Sequence, residues 1–171
     1  MALAGVRAGR PILHSHMTAV LEEYRNRGVG KKLKLLQRED ALARGIELVE
    51  WTFDPLEIKN AHFNLVRLGA IAMRYIPNCY GMTSSPLHAG LPTDRLMAEW
   101  WVESARVKEA VSLQPPAVSK ETAAGEVAQI SVPAEITRLR DEEPERAAKV
   151  QREIGEQFQK WFAKGYAAVG F

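Results

Sequence analysis

The chain has 171 residues, 46% of them apolar and 26% charged, with a net charge of +2. Those proportions are those of one globular domain, or of one domain with an extension, and so small and evenly spread a charge argues against a nucleic-acid-binding protein. No apolar run approaches the ~20 residues of a membrane span, the start lacks a signal-peptide pattern, and the single cysteine, Cys79, cannot close an internal disulfide; a cytoplasmic protein is expected.

Met1 to Val6 is short and apolar, and Arg7-Ala8-Gly9-Arg10 reads as a turn. The first residues are therefore expected to form a hairpin with the β-prone run from Pro11 to Val20. The basic turn Arg25-Asn26-Arg27-Gly28-Val29-Gly30 then opens into the helix formers Lys31 to Arg38. A strand, a Gly-containing basic turn and a helix make an anion site. The glycines let the backbone approach a ligand, the first helical N–H groups have no internal partner, and the helix dipole favours negative charge. The pattern is neither a P-loop, which needs Gly-Lys-Ser/Thr, nor a dinucleotide fingerprint with its three glycines.

The helix from Gly28 to Arg44 is expected to turn Val29, Leu33, Leu36 and Ala43 towards one face and Lys31, Lys34, Arg38 and Glu39 outwards, with Gly45 as its left-handed C-cap. Ile46 to Phe53 is the next strand, ended by Asp54-Pro55. A strand, helix and strand in succession form a right-handed crossover, so the two strands should be parallel. Leu56 to Leu68 is a helix capped by Gly69, with Ala61, Leu65 and Leu68 inward and Asn60 and Asn64 on the neighbouring stripe. Ala70 to Tyr75 and Arg95 to Val102 are strands, separated by a loop from Met82 to Thr93 long enough to suggest function.

These elements make residues 1–103 the core. Residues 104–129, rich in Ala, Pro and charge, read as a linker. Residues 130–171 read as a strand-helix-strand extension docked on the core. Ile130-Ser131-Val132 is its first strand, and Ala147, Val150, Ile154, Phe158 and Trp161 are the packing stripe of its helix. Gly165 ends that helix, and Tyr166 to Phe171 returns as a strand.

The hexapeptide Arg25 to Gly30, after a strand and before a helix, resembles the acyl-CoA-binding signature Arg/Gln-x-x-Gly-x-Gly/Ala of the GNAT acyltransferases. Trp51-Thr52-Phe53-Asp54-Pro55, Leu91-Pro92-Thr93-Asp94-Arg95 and Trp100-Trp101 are similar to an uncharacterised bacterial-type branch of that superfamily. The resemblance implies an α/β (α+β) fold with a mixed, partly parallel central sheet flanked by helices. It also implies acetyl-CoA as co-substrate. The N–H groups from Arg25 through Asn26, Arg27, Gly28, Val29 and Gly30 to Lys31 would hold the pyrophosphate. The backbone of Ala19 and Val20 would pair with the pantetheine and thioester, and Asn60 would bond the pantetheine arm. The two parallel strands would splay, with CoA entering the gap. The family's strands before this turn are reduced here to a fragment, which implies an N-terminally truncated fold completed by further chain or by a homodimer. Its general-acid Tyr falls at Leu65, a departure from the usual mechanism.

Direct N-acyl transfer needs an amine positioned against a thioester, a polarised carbonyl, a base for the amine and an acid for the thiolate. The Val20 main chain is the candidate polariser. Base candidates are His14 and His16 on the first strand and Glu50 and Asp54 on or after the second, with His16 and Asp54 taken forward. Tyr80 is the replacement acid. The same residues also admit plainer roles: His14 and His16 as ordinary residues of a half-buried strand, and Asp54 as a turn or cap residue. The expected function is N-acyl transfer to a small amine that enters beside the Met82 to Thr93 loop. The alternative is a CoA-binding but non-catalytic module or interaction subunit. No metal, nucleic acid or membrane is expected as a partner.

Overall fold

The computed structural model describes residues 1–81, 90–112 and 126–171. Ala8 and Gly9 take left-handed conformations (φ 50° and 76°), the turn geometry that matches the twist of a tight hairpin. They join β1 (Ala2–Arg7) to β2 (Arg10–Ser15), paired from Ala2↔Ser15 to Arg7↔Arg10. β2 stops at Ser15, so Met17 to Val20 lie beyond the strand expected to contain them. A short 3-10 turn over Glu22–Tyr24 leads to Gly28, whose positive φ of 75° starts α1 (Val29–Ala43).

The crossover is as expected: β3 (Leu48–Phe53) pairs parallel with β2. α2 (Ile58–His62) widens into a π-helical turn over Phe63–Arg67, in which the Leu68 N–H reaches back to the Phe63 carbonyl at 3.0 Å. β4 (Ile71–Ile76) and β5 (Arg95–Trp101) complete a five-stranded mixed sheet of order β1-β2-β3-β5-β4, in which all pairs other than β2 with β3 are antiparallel.

Both helical crossovers run in the same direction along the sheet, which places their helices on one face. That face holds the core: Val49, Trp51, Phe53, Leu96, Ala98 and Trp100 pack with Ala41, Ala61, Leu65 and Val107 from the helices. Trp51 and Trp100 meet edge-on at 5.9 Å, and the Trp100 indole N–H donates to the Leu68 carbonyl at 2.7 Å. An aromatic pair of this geometry adds about 1 kcal/mol beyond the area it buries.

Three expectations require correction. First, α1 presents a different face to the core. Lys34 and Ala41 are buried, whereas Leu33 and Leu36 are exposed and Leu33, with Met1, Ala2, Met17 and Ala19, lines a shallow hollow of about 260 Å³ beside β1. The aliphatic stem of Lys34 serves as apolar surface, which a binary apolar/charged pattern does not register. Second, the proposed linker begins with a helix, α3 (Ala105–Val111). Ser104 caps it by accepting the Val107 N–H, and Val107 is buried. Residues 113–125 of that stretch lie outside the described residues.

Third, the extension contains an unexpected helix, α4 (Ile136–Glu142), ahead of α5 (Pro144–Ala163). Ile130 and Val132 pack against Leu56, Leu91, Ile136 and Ile154 without forming a strand. The last residues make a single bridge, Ala72↔Ala168, instead of a full strand. The α5 stripe does face the core: Ala147 and Ile154 are buried, and Phe158 stacks on Tyr75 at 6.0 Å. Among the described residues no helix is long and apolar enough to cross a membrane.

Two glycines separate backbone strain from packing. Both Gly45 (φ 64°) and Gly69 (φ 72°) are left-handed, but an added Cβ meets nothing at Gly45, whereas at Gly69 it comes within 2.9 Å of Ala110 Cβ and of the Arg106 carbonyl. Gly45→Ala should cost about 1–2 kcal/mol from the backbone alone. Gly69→Ala should cost about 1–3 kcal/mol more for the overpacking. Urea denaturation of the two variants gives the comparison, and equal losses would refute the close packing of α3 on Gly69.

Candidate functional site

The turn after β2 builds an open cleft of about 450 Å³ lined by Val20, Tyr24, Arg25, Gly28, Gly30 and Lys31 on one side and by Phe63 and Arg67 of the π-helical turn on the other. Asn26 (φ 60°) and Gly28 (φ 75°) are both left-handed, and such alternating turns form concave nests of N–H groups. No side chain caps α1, and its first helical bond runs from the Lys32 N–H to the Gly28 carbonyl at 3.0 Å. The N–H groups of Val29, Gly30 and Lys31 therefore have no hydrogen-bond acceptor among the described residues. The loop is braced from within, because the Arg25 Nε–H donates to the Val20 carbonyl at 3.3 Å and the Arg27 guanidinium lies 5.9 Å from the centre of the Tyr24 ring.

The cleft is electropositive. Partial burial and the Arg67 guanidinium hold the Lys31 ammonium below its ordinary range. Neither cation has an ion-pair partner among the described residues. Two like charges kept close without a carboxylate between them, at the positive end of a 15-residue helix, favour a bound anion. The residues expected to bind cofactor largely converge here: Val20, Arg25, Asn26, Gly28, Val29, Gly30 and Lys31 all line the cleft. Arg27 turns to Tyr24, and Ala19 lines the neighbouring hollow instead. Phe63 and Arg67 were missed by sequence reasoning because their position depends on the π-helical turn, which shifts the helical register by one residue.

The parallel strands part at the end of β2, ahead in sequence of the turn that builds the cleft. β2 and β3 pair only at Ile12↔Leu48, Leu13↔Val49 and His14↔Glu50, whereas the pairing of β3 with β5 runs through six residues. The next potential pair, Ser15 with Trp51, is absent from the ladder, and Lys34 of α1 reaches between their side chains on the helix side of the sheet. Its Nζ donates to Ser15 Oγ at 3.0 Å and to Gln37 Oε1 at 3.2 Å, and lies 3.5 Å from the centre of the Trp51 ring. Burial pushes the Lys34 ammonium down to about 7. The chain of contacts continues: Trp51 Nε1 donates to the buried Asn64 at 3.2 Å, and Asn64 Nδ2 donates to Asn60 at 3.3 Å. Asn60 is thus exposed and placed at the outer end of this chain, outside the cleft lining.

The opposite face of the sheet carries charged or titratable residues from every strand, among them Arg7, His14, Glu50, Glu99 and Arg74. Glu50 and Glu99 stand directly opposite each other on β3 and β5, an arrangement that is destabilising when uncompensated. Arg7 pairs with Glu99 at 2.8 Å and Arg74 with Glu50 at 2.9 Å, which offsets the repulsion. His14 Nδ1 lies 3.8 Å from Glu50 Oε1 at the last paired position before the strands part. Farther along β3 on the same face, Thr52 hydrogen-bonds the exposed Tyr80 hydroxyl.

The remaining expected site residues are dispersed. His16 is exposed past the end of β2, its ring 6.5 Å from that of His14 and its N–H held by the Met1 carbonyl at 3.1 Å. Asp54 accepts the Leu56 N–H at 2.8 Å and a bond from Arg140, itself buried, at 2.8 Å. Both oxygens are thus engaged, one in the turn after β3 and the other in tying α4 to the core. Of the loop expected to admit the acceptor, residues 82–89 lie outside the described residues. No protein-family model matches this chain, and no curated protein matches it. The fold is a mixed α/β one, a sheet with helices packed against it.

Lys34 makes a pH prediction. Its value near 7 in the folded chain lies below the ~10.4 of an unfolded lysine, so between the two the unfolded chain binds more protons and stability rises with pH. The native chain should gain on the order of 2–4 kcal/mol relative to Lys34→Met between pH 7 and pH 10. Urea midpoints of both proteins measured across that range would show it, and parallel pH profiles would refute the buried, uncompensated amine.

Proposed function

We propose that this chain is an acyl-CoA-dependent N-acyltransferase that moves an acetyl group from acetyl-CoA to a small amine. The observation that carries the reading is a coincidence of place. An uncompensated cationic cleft is built by the turn that joins β2 to α1, and β2 and β3, the strands on either side of α1 in the sequence, stop pairing at the end of β2 from which that turn leaves. Ligands of open α/β sheets bind in such crevices beyond the carboxyl ends of parallel strands.

In this reading the Val29, Gly30 and Lys31 N–H groups, with Lys31 and Arg67, hold the pyrophosphate. The N–H groups of Thr18, Ala19 and Val20, which have no backbone acceptor among the described residues, are available to the pantetheine and the thioester carbonyl. The acceptor amine approaches from the charged face. His14 replaces His16 as the base, because it stands at the last paired position before the strands part, on the charged face and with its Nδ1 3.8 Å from Glu50 Oε1. The C–N bond forms, the C–S bond breaks, and Tyr80 on the same face is the residue to protonate the thiolate.

One observation favours the second reading, a CoA-binding subunit without catalysis. Leu65, at the position of the family's acid, is buried in the core and offers no proton. Either form has a use for a second copy of the chain. The outer edge of β1 is unpaired among the described residues and carries exposed Leu3 and Val6, an arrangement that invites pairing.

Titration calorimetry with acetyl-CoA should give saturable binding, weakened at least about tenfold by Gly28→Asp, which puts a carboxylate in the anion site. His14→Ala should lower turnover by about 10²–10⁴-fold with acetyl-CoA affinity preserved. Undiminished binding by Gly28→Asp would reject the cleft as the site, and undiminished turnover by His14→Ala would reject the base.

A further inference from the structure

Lys34 has a chemistry that the proposed transfer does not use. It is a buried amine, 5% exposed, with no carboxylate in ion-pairing reach among the described residues. It projects from α1 to the point at which β2 and β3 separate, between Ser15 and Trp51. Two oxygen acceptors, Ser15 Oγ and Gln37 Oε1, hold the nitrogen 3.5 Å from the centre of the Trp51 ring. A lysine on a surface helix turn would be solvated and mobile, whereas this one is held at a single place.

We propose that Lys34 is a self-acylation site, its Nζ taking the acyl group from a thioester held in the gap between β2 and β3. The inference rests on the acyl-CoA reading of the cleft. In the step, the neutral amine attacks the thioester carbonyl, the N–C bond forms, the C–S bond breaks, and the proton lost by nitrogen passes to the departing thiolate, leaving an amide and free CoA thiol. No other reactant is required. Burial supplies the neutral amine near neutral pH, and fixed placement supplies the rest, because an oriented nucleophile reacts far faster than the same group free in solution. The amide product carries no charge, so acylation also removes the burial cost of the ammonium.

The test is to incubate the full chain with acetyl-CoA, map acetylated peptides by mass spectrometry over time, and measure acetyl-CoA binding by calorimetry on the same preparation. The expected result is one acetyl increment at Lys34, with a rate that saturates in acetyl-CoA and exceeds that at the exposed Lys59 and Lys149 by at least roughly tenfold. Lys34→Arg should bind acetyl-CoA and stay unmodified. Saturable binding with Lys34 unmodified would overturn the self-acylation and leave the cleft's assignment standing. Acetylation spread evenly over exposed lysines would also overturn it. Neither binding nor modification would overturn both.

Discussion

The constraint on which the rest of this structure depends is the short ladder between β2 and β3. Three residue pairs hold the parallel strands together before they separate, and a sheet that opens in its interior must satisfy its backbone and side-chain polar groups in another way. On the helix side the opening is filled by Lys34, anchored by Ser15, Gln37 and Trp51. On the other side it is bordered by His14 and Glu50. The electropositive turn before α1 follows the carboxyl end of β2, so the break in the ladder, with its buried amine and charged strand face, stands just ahead of it in the chain.

The two faces of the sheet divide the work of stability. The helical side buries the aromatic and aliphatic core around Trp51 and Trp100. The charged side holds two adjacent carboxylates, Glu50 and Glu99, of which Glu99 is only 4% exposed, between Arg7 and Arg74. The glutamates are the buried members, whereas Arg7 and Arg74 are more than a third exposed, so solvent screens the set and losing one arginine costs less than breaking a fully buried pair. The first and fourth strands are therefore coupled electrostatically through the two central ones. Arg140 makes a similar attachment for the extension, tying α4 to Asp54 and Glu57 after β3.

Much of this was legible in the residues. The hairpin at Ala8-Gly9, the crossover through α1, Gly45 and Gly69 as helix ends, and the α5 stripe follow from turn chemistry and periodicity, which are local. The cleft was legible for the same reason, since the Arg25 to Lys31 turn carries its own geometry. What escaped depends on contacts distant in sequence. Lys34 was expected outside because its charge outweighs its aliphatic stem in any pattern, and its burial depends on Trp51 and Ser15 from the sheet as well as on Gln37. Arg67 and Phe63 reach the cleft through a π-helical turn. Asp54 was a candidate for chemistry until Arg140, far along the chain, accounted for its second oxygen.

The central claim is that the start of α1 is a pyrophosphate site continuous with the strand gap. The most direct measurement is the perturbation of backbone amide resonances in a nitrogen-labelled sample as CoA is added, compared with pantetheine, which lacks the pyrophosphate. The account predicts large shifts at Gly28, Val29, Gly30 and Lys31 with CoA, extending to Thr18, Ala19 and Val20, and much weaker ones with pantetheine. Shifts confined to another surface, or none at saturating CoA in a folded sample, would contradict it.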